Sequence, residues 1–451
     1  MWNSRTKKIS ALRVEIDRTY NPAMKSRNPH ETQSKSSDIT QIAEERPNFI
    51  RLALYQIALR IGWIFKTESV IMPAFLDIIG GSGWLRGCLP MLNRFGQSIP
   101  PLLLSQRISN LPKKKIALAG TTFCMGASFL VLSAIWHFTK GQFAAMPFVF
   151  LAIYAFFFIS TGITQLLTNT LIGKLVSSTT RGRLAAAGSI VGGVIAVLCA
   201  WFLLRNWLDA ETGKFELVFG FTGIAFLIAS VISLTFVEQP DTETNKIEKS
   251  LPLLKSSLKT VLHDRNFRRL MIVASMFGMC VVLTPHYQTL ARVRLEVNFR
   301  SLIPWVIAQH IGASLITVPM GWLADRFGNR IVLQILMLLL CVTPVLGLVF
   351  SWSGEFGRTM YPLVFFLLGL TPITVRFLTN YTLEVTDRSK HPLYLSTLGL
   401  FISIPVIATS LLFGALVDIA GFETVFLIVL VFLLVGLVTT FRLEEPRHET
   451  G

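Results

Sequence analysis

Charged residues are scarce in this sequence: they make up 15% of its 451 residues, whereas 52% are hydrophobic and the mean hydropathy is +0.57. Soluble domains carry about 25% charged residues, so the shortage excludes an ordinary soluble protein. Alternating segments of about ten residues, typical of an outer-membrane barrel, are absent as well. The composition therefore predicts an all-α polytopic membrane protein.

Signatures of catalysis and of metal binding are also missing. The sequence holds no Walker loop, zinc motif, nucleophile elbow or dinucleotide fingerprint in a strand context. Its five cysteines have no metal-ligand spacing, and an odd number fits no simple disulfide framework. We predict that the protein is not an enzyme and that it needs no metal or cofactor. The first 45 or so residues contain no apolar stretch, so no cleavable signal peptide is expected.

What the sequence does contain is a series of long apolar segments, each about 20 residues long and able to cross a membrane as a helix. We predict twelve transmembrane helices, called spans 1 to 12, in two six-helix bundles at residues 47–237 and 270–442. Residues 1–46 are polar and are predicted to be a disordered tail. Residues 238–269 are predicted to form a basic cytoplasmic loop with an amphipathic helix, and residues 443–451 a short C-terminal tail.

The positive charge of the chain is large, at +16, and its distribution matters more than its size. By the predicted topology, 31 of the 42 lysines and arginines fall in the two tails and in alternate loops. This asymmetry follows the positive-inside rule and places both termini in the cytoplasm. The excess charge is therefore expected to contact anionic lipid, and a nucleic-acid partner is not expected.

A compact polar loop, Gly321–Leu333 (GWLADRFGNRIVL), joins two of the apolar segments. It resembles the signature loop of the major facilitator superfamily, G-x-L-A-D-R-x-G-R-K. The matching residues are Gly321, Leu323, Ala324, Asp325, Arg326, Gly328 and Arg330. A first copy of the loop is expected at Gln106–Lys115, which keeps Arg107 and a lysine cluster but lacks both glycines and the acid. The resemblance spans about residues 50–442 and does not identify a subfamily.

An internal repeat agrees with this resemblance. The pairs Thr168-Asn169 and Thr379-Asn380 are 211 residues apart, and Gly188 and Gly399 share that spacing. The resemblance implies two pseudo-symmetric six-helix bundles, related by an axis along the membrane normal. It also implies a monomeric secondary transporter that works by alternating access on a small-molecule substrate.

Charged residues inside the predicted spans are candidates for function, because a charge in hydrocarbon is costly. In the superfamily, spans 1, 4, 7 and 10 line the central cavity, which implies that Glu68 and Arg376 face one pocket from opposite bundles. We predict that Arg376, with Lys66, binds an anionic group of the substrate. Glu68 would be the counter-charge and the proton-carrying group. The alternatives are a structural ion pair, either between Glu68 and Arg376 or between one of them and a neighbour, and a Lys66 that extends to the membrane interface.

Three amides are further candidates for substrate binding. Under the repeat, Gln165 holds in span 4 the place that Arg376 holds in span 10, and Asn169 matches Asn380. Amides suit hydrogen bonding to a polar substrate, but they serve helix packing as well.

Two histidines and one arginine complete the intramembrane candidates. His310 in span 8 is a candidate for proton coupling, and His286 near the outer end of span 7 is a second histidine of the kind that can titrate near neutral pH. A structural hydrogen bond is the commoner role of a lone histidine in a membrane. Arg94 in span 2 fits a buried ion pair with Asp77.

The resemblance assigns gating to the signature loop. Asp325 is expected to meet the start of span 5 near Arg181 and Arg183. The remaining gating candidates are Gly321, Arg326, Gly328, Arg330 and, in the first copy, Arg107. Because that copy lacks its acid, its latch is expected either to be weaker or to be replaced by Lys113–Lys115 meeting acids such as Glu384 or Asp387.

Taken together, these features predict a secondary active transporter that moves a small polar solute with an anionic group, driven by protons or by the solute's own gradient. One alternative is a broad-specificity, proton-driven efflux pump with an aromatic lining of Tyr154, Phe156, Phe157 and Phe158. Another is a sensor or assembly scaffold that does not transport. The short loops fit a bacterial inner membrane.

Overall fold

The computed structural model describes residues 29–140, 144–177, 179–208, 213–241, 259–387 and 390–445. Every regular element in these ranges is helical, which confirms the predicted all-α class. From Arg51 onwards the described chain forms one compact unit.

The first half contains spans 1 to 6. Their bounds are Pro29–Phe65 and Ile71–Ile79 for span 1, Gly83–Ser109 for span 2, Lys114–Thr139 for span 3, Met146–Leu175 for span 4, Arg181–Cys199 with the π-helical Ala200–Leu204 and with Arg205–Trp207 for span 5, and Phe215–Leu234 for span 6.

The second half contains spans 7 to 12. Their bounds are Arg265–Leu295 for span 7, Leu302–Phe327 after a 3-10 turn at Phe299–Ser301 for span 8, Asn329–Ser351 for span 9, Gly354–Met360, Pro362–Leu368 and Leu370–Glu384 for span 10, and His391–Thr440 for spans 11 and 12 together.

The helices follow the predicted order of twelve spans. Within the described ranges, nine helices are long and apolar enough to cross a membrane, and the last of them bends at Gly421 (φ 82°) into two. Spans 1 and 2 fall outside that group, and both carry charged and amide side chains: Lys66 and Glu68 in span 1, Asn93 and Arg94 in span 2. The polar residues that weaken their hydropathy are the ones from which the candidate site is built.

The boundaries of span 1 differ from the prediction. Its helix begins at Pro29, inside the predicted 1–46 tail, and passes through residues 48–60. The amphipathic pattern of these residues, which include Arg51 and Arg60, fits either an interfacial helix or the cytoplasmic end of span 1. The arginines of that stretch misled the sequence assignment, because a long side chain on a span can face the protein as well as the membrane surface. Residues 1–28, residues 446–451 and most of the predicted amphipathic helix (242–258) lie outside the described residues.

Close helix packing repeats between the two halves. A side chain at Gly162 in span 4 would collide with the backbone of Gly96 in span 2, and one at Gly369 in span 10 would collide with the backbone of span 8 near Gly312. Small residues at helix contacts are the usual means of packing helices in lipid. The same two spans therefore approach closely in each half, as the predicted pseudo-symmetry requires.

The two halves meet most closely at one end of the bundle. This end carries the loop between spans 1 and 2 (80–82) and is called the outer end, after its predicted topology. The backbone N–H groups of Gly83 and Trp84 donate to the two carboxylate oxygens of Asp418 in span 11, at 2.5 and 3.2 Å. Gly83 and Gly87 of span 2 lie against Gly414 and Ser410 of span 11. The outer end is thus closed in this structure.

Candidate functional site

Span 1 is interrupted at the residues that carry its buried charges. The first helix ends at Phe65 and the next begins at Ile71. In the intervening segment, Lys66 Nζ pairs with Glu68 Oε1 at 2.8 Å. The Thr67 hydroxyl accepts the N–H of Ile71 at 3.3 Å, which caps the second helix. The break places an ion pair inside the bundle where an uninterrupted helix would point the two side chains in different directions.

Lys66 lies in a cage of aromatic rings. Its Nζ is 3.9 Å from the centre of the Trp63 ring, 4.2 Å from Phe158, 4.9 Å from Phe157 and 5.6 Å from Tyr154. The side chain is 1% exposed. Ring faces attract an ammonium group, so the cage and Glu68 together hold this charge in the protein interior. Lys66 does not extend to the membrane interface.

The Glu68 carboxylate links spans 1 and 2 through a hydrogen bond. Its second oxygen accepts from Asn93 Nδ2 at 2.5 Å, and Asn93 Oδ1 accepts from Gln97 Nε2 at 2.6 Å. Arg94 lies within electrostatic range of the same carboxylate. Glu68 keeps 20% of its side chain exposed, so it is the accessible member of this cluster.

A second cluster lies between the two halves and contains Arg376. Arg60 of span 1 lies within electrostatic range of both Arg376 of span 10 and His310 of span 8. In the part of the chain that the structure describes, neither guanidinium pairs with a carboxylate, and Arg60 Nε is buried with no acceptor. Two like charges from opposite halves therefore lie close enough to repel one another.

The two clusters are neighbours, but they remain distinct. The Ser69 hydroxyl, beside Glu68, donates to Gln309 of span 8, beside His310. Glu68 is ion-paired to Lys66 and not to Arg376. Arg376 lies eight residues from the end of span 10 at Glu384, and Arg60 lies five residues before the first helix of span 1 ends at Phe65. Instead of one pocket shared by Glu68 and Arg376, the structure therefore has two clusters. The upper cluster contains Lys66 and Glu68, and the lower cluster contains Arg60 and Arg376.

Sequence reasoning missed Arg60 because the amphipathic stretch at residues 48–60 fits an interfacial helix or the cytoplasmic end of span 1, and neither interpretation places Arg60 in the site. In the structure Arg60 belongs to the helix that ends at Phe65, and its Nε is buried. The long amphipathic stretch with arginines at both ends was the available signal.

A cavity of about 390 Å³ adjoins Arg376 at the inner end of the second half. Its lining includes charged and polar groups of spans 8, 9 and 10: Thr317, Asp325, Asn329, Arg376, Asn380 and Glu384. The cavity thus joins two predicted binding residues to the acid of the signature loop.

The other predicted amides lie on an exposed face of span 4. Gln165 and Asn169 continue, at helical spacing, the stripe that begins with Phe158 and Gly162. Because Phe158 faces Lys66 and Gly162 faces span 2, this stripe points towards the centre of the bundle.

The signature loop turns at Gly328, whose φ of 89° suits only glycine. Arg330 donates to the carbonyl of Phe441 at 2.9 Å, and Arg326 lies over the rings of Trp322 and Phe327. Gly321 has open space around it. These contacts fix the loop to its own half.

On the other half, Arg181 donates to the carbonyls of Gly173 and Val176 at 2.8 and 3.1 Å. Arg183 and Arg107 are exposed. The expected approach of Asp325 to Arg181 and Arg183 stays a prediction.

The lysines of the first-half loop, Gln106–Lys115, have other partners than those predicted. The backbone N–H groups of Lys114 and Lys115 donate to Glu238 at 2.9 and 2.8 Å, and the Lys114 ammonium pairs with Asp241. Lys174 joins both acids, at 3.1 and 2.7 Å. The acids therefore come from the segment after span 6, not from Glu384 or Asp387, because the chain leaving span 6 runs past the start of span 3. Burial opposes ionisation of Asp241, but the two lysines outweigh it and lower the pKa of its carboxyl.

A second correction concerns Asp77. Its partners are Arg86, at 2.7 Å, and Arg292, at 3.7 Å, and not Arg94. Asp77 lies at the outer end, whereas Arg94 is two helical turns deeper and near Glu68.

Comparison with known proteins agrees with this geometry. Residues 300–451 match the family model described as Major Facilitator Superfamily. A variant of the nucleoside transporter NupG is similar with a TM-score of 0.71 and 12% identity, over 88% of this chain and 100% of that one. No curated protein matches the sequence.

Two further solved structures share the architecture. A D-xylose-proton symporter has a TM-score of 0.66 and 15% identity, over 88% of this chain and 98% of that one. The E. coli fucose:proton symporter FucP has a TM-score of 0.55 and 14% identity, over 89% and 100%. Identities this low establish the fold alone. The family-model match over residues 300–451 confirms the resemblance recognised in the signature loop, and the nine long apolar helices of the described residues indicate a membrane protein.

Proposed function

We propose that this chain, which has the fold of the major facilitator superfamily, is a secondary transporter that moves a small anionic solute by alternating access. The observation that carries the proposal is the cavity lined by Arg376, together with the buried and unsatisfied Nε of Arg60, which lies within electrostatic range from the other half. Like charges in a protein interior repel one another unless an anion lies between them. A carboxylate or phosphate fits this role, because a guanidinium donates two parallel hydrogen bonds to such a group.

The position of the two arginines relates binding to movement. Each half supplies one guanidinium, so a bound anion holds the halves together at the inner end. The described contacts of Asp418 with Gly83 and Trp84 close the outer end. We place this structure at the stage in which the solute exchanges with the inner side, and both termini in the cytoplasm of a bacterial cell.

Proton coupling is assigned to the upper cluster. Glu68 is partly exposed and is held by Lys66 and Asn93. Protonation of Glu68 would release Lys66 from its partner, and it would weaken the hydrogen bond from Asn93. His310, close to Arg60, is the second group through which a proton could influence the anion site.

The inner gate is assigned to Asp325, which lines the cavity beside Arg376. Spans 5 and 8 are in contact in this structure, and we propose that Asp325 reaches Arg181 and Arg183 when the inner end closes. Cysteines introduced at Asp325 and Arg183 should then form a disulfide that stops uptake, and reduction should restore it. A pair that never cross-links under transport conditions would contradict this gate.

The efflux alternative is not favoured by the geometry. The rings of Tyr154, Phe157 and Phe158 surround Lys66 and each other, so they do not present an open apolar lining. Phe156 is 50% exposed on another face of span 4.

A thermal-shift screen of the purified protein with small anions, sugars and lipophilic cations tests the proposal. We expect stabilisation by an anion, and we expect Arg376→Ala to weaken its binding about tenfold to a hundredfold, since a hydrogen bond to a charged group contributes roughly 1.5–3 kcal/mol. Arg107→Ala, an exposed arginine of the first-half loop, is the matched control and should bind as the native protein does.

Other outcomes identify the rivals. Stabilisation by lipophilic cations alone would indicate the efflux pump. Uptake that survives both Glu68→Gln and Arg376→Ala, while a partner protein still co-purifies, would indicate a scaffold.

A further inference from the structure

A group of buried polar side chains at the outer end is not used by the proposed transport mechanism. Asp77 of span 1 accepts from Arg86 of span 2 at 2.7 Å and from Thr289 of span 7 at 3.1 Å. Arg292 of span 7 pairs with the same carboxylate at 3.7 Å. His286 lies within electrostatic range of Arg86. Thr289 also donates to Gln288 Oε1 at 3.2 Å, and with Gln288 these residues are called the outer cluster.

The outer cluster has more positive than negative charge. In the ranges that the structure describes, Asp77 is the carboxylate that pairs with Arg86 and Arg292, so two guanidiniums share one acid. With neutral His286 the cluster has a net charge of +1. An excess charge in a buried site is costly unless it is neutralised.

The cluster also has more donors than acceptors. Arg86 Nε, Arg292 Nε and Gln288 Nε2 are buried and have no acceptor among the described residues, and neither ring nitrogen of His286 has a partner. The exposed fractions are 3% for Arg86 and 0% for His286 and Gln288. A buried donor left unsatisfied loses the full energy of its desolvation. Several such donors in one cluster indicate a ligand that accepts hydrogen bonds.

We infer that the outer cluster binds one small monovalent inorganic anion of the chloride class. Such an ion accepts from the N–H groups of Arg86, Gln288 and Arg292 and cancels the charge of +1, whereas a water molecule does only the first. Arg292 keeps 22% of its side chain exposed, which provides a route of entry. Because Arg86 and Arg292 belong to opposite halves, the bound ion stabilises the closed outer end. This site is separate from the Arg60–Arg376 site and does not depend on the identity of the solute.

The test is the thermal stability of the purified full chain in sodium chloride and in sodium gluconate at equal ionic strength. We expect a saturable rise in Tm of about 1–2 °C with chloride, the shift that a several-fold excess of the ion over its Kd gives in a chain of this length. Arg86→Gln should lose the chloride response. Arg358→Gln, which removes another arginine of the outer end, should keep it.

Two results would overturn the site: equal Tm of the native protein in both salts, or a full chloride response in Arg86→Gln. If Arg86→Gln does not fold, Gln288→Leu serves instead, with a chloride response reduced at least severalfold. Crystals grown in bromide give an independent reading, since an anomalous peak at the outer cluster is expected and its absence contradicts the site.

Discussion

Replacing Lys66 with methionine should destabilise the protein by about 3–5 kcal/mol, the loss that follows when one partner of a buried ion pair is removed. Methionine keeps most of the volume and the contacts with the rings of Trp63 and Phe158. What is lost is the positive charge 2.8 Å from Glu68. The carboxylate would then remain inside the bundle without its ion-pair partner. Thermal or denaturant unfolding of the purified protein measures this loss.

The double variant Lys66→Met with Glu68→Gln is the matched control. It removes both charges and leaves an amide that can still accept from Asn93, so it should recover most of the lost stability. If Lys66→Met unfolds like the native protein, the ion pair is not a structural element of span 1.

Replacing Gly414 with valine should open the outer end. A Cβ at this position would lie 3.0 Å from the carbonyl carbon of Gly83 and 3.0 Å from the Cα of Trp84. Both obstacles are backbone atoms, which cannot move aside as a flexible side chain does. Overpacking of this kind costs about 1–3 kcal/mol, which shifts the balance between closed and open outer ends roughly fivefold to a hundredfold.

The opening can be measured by labelling a cysteine at Thr289 with an impermeant maleimide, in a background with the five native cysteines replaced. Thr289 is 5% exposed at the closed outer end, so its labelling rate reports the open state. Gly399→Val is the control, because Gly399 lies on the same span with nothing within 4 Å of its Cβ position. A labelling rate in Gly414→Val equal to that in Gly399→Val would contradict a closed outer end.

The fold could be predicted from the sequence because its signals are local and strong. Long apolar segments mark spans, and the seven matching residues of the signature loop mark the superfamily. The start of span 1 could not be fixed, because a helix that carries Arg51 and Arg60 has the same hydrophobic pattern at a membrane surface and inside a bundle. This error concealed Arg60, the residue that lies within electrostatic range of Arg376.

Which side chains pair with one another was harder to predict than which side chains belong to the candidate site. The segment from Lys66 to Val70 contains neither glycine nor proline, so its sequence does not predict the helix break that turns Lys66 towards Glu68. Likewise, the aromatic run of span 4 predicts an apolar surface, but which ring faces Lys66 depends on how span 4 is rotated against the broken span 1.

The central claim is that Arg60 and Arg376 hold one anion from opposite halves. A double-mutant cycle tests it, with the affinity of the stabilising anion measured for the native protein, Arg60→Gln, Arg376→Gln and the double variant. Since both side chains would contact the same ligand, we predict that each single variant loses affinity and that the two losses differ from additivity by at least about 0.5 kcal/mol. Losses that add independently, or an affinity unchanged by Arg60→Gln, would contradict a shared site.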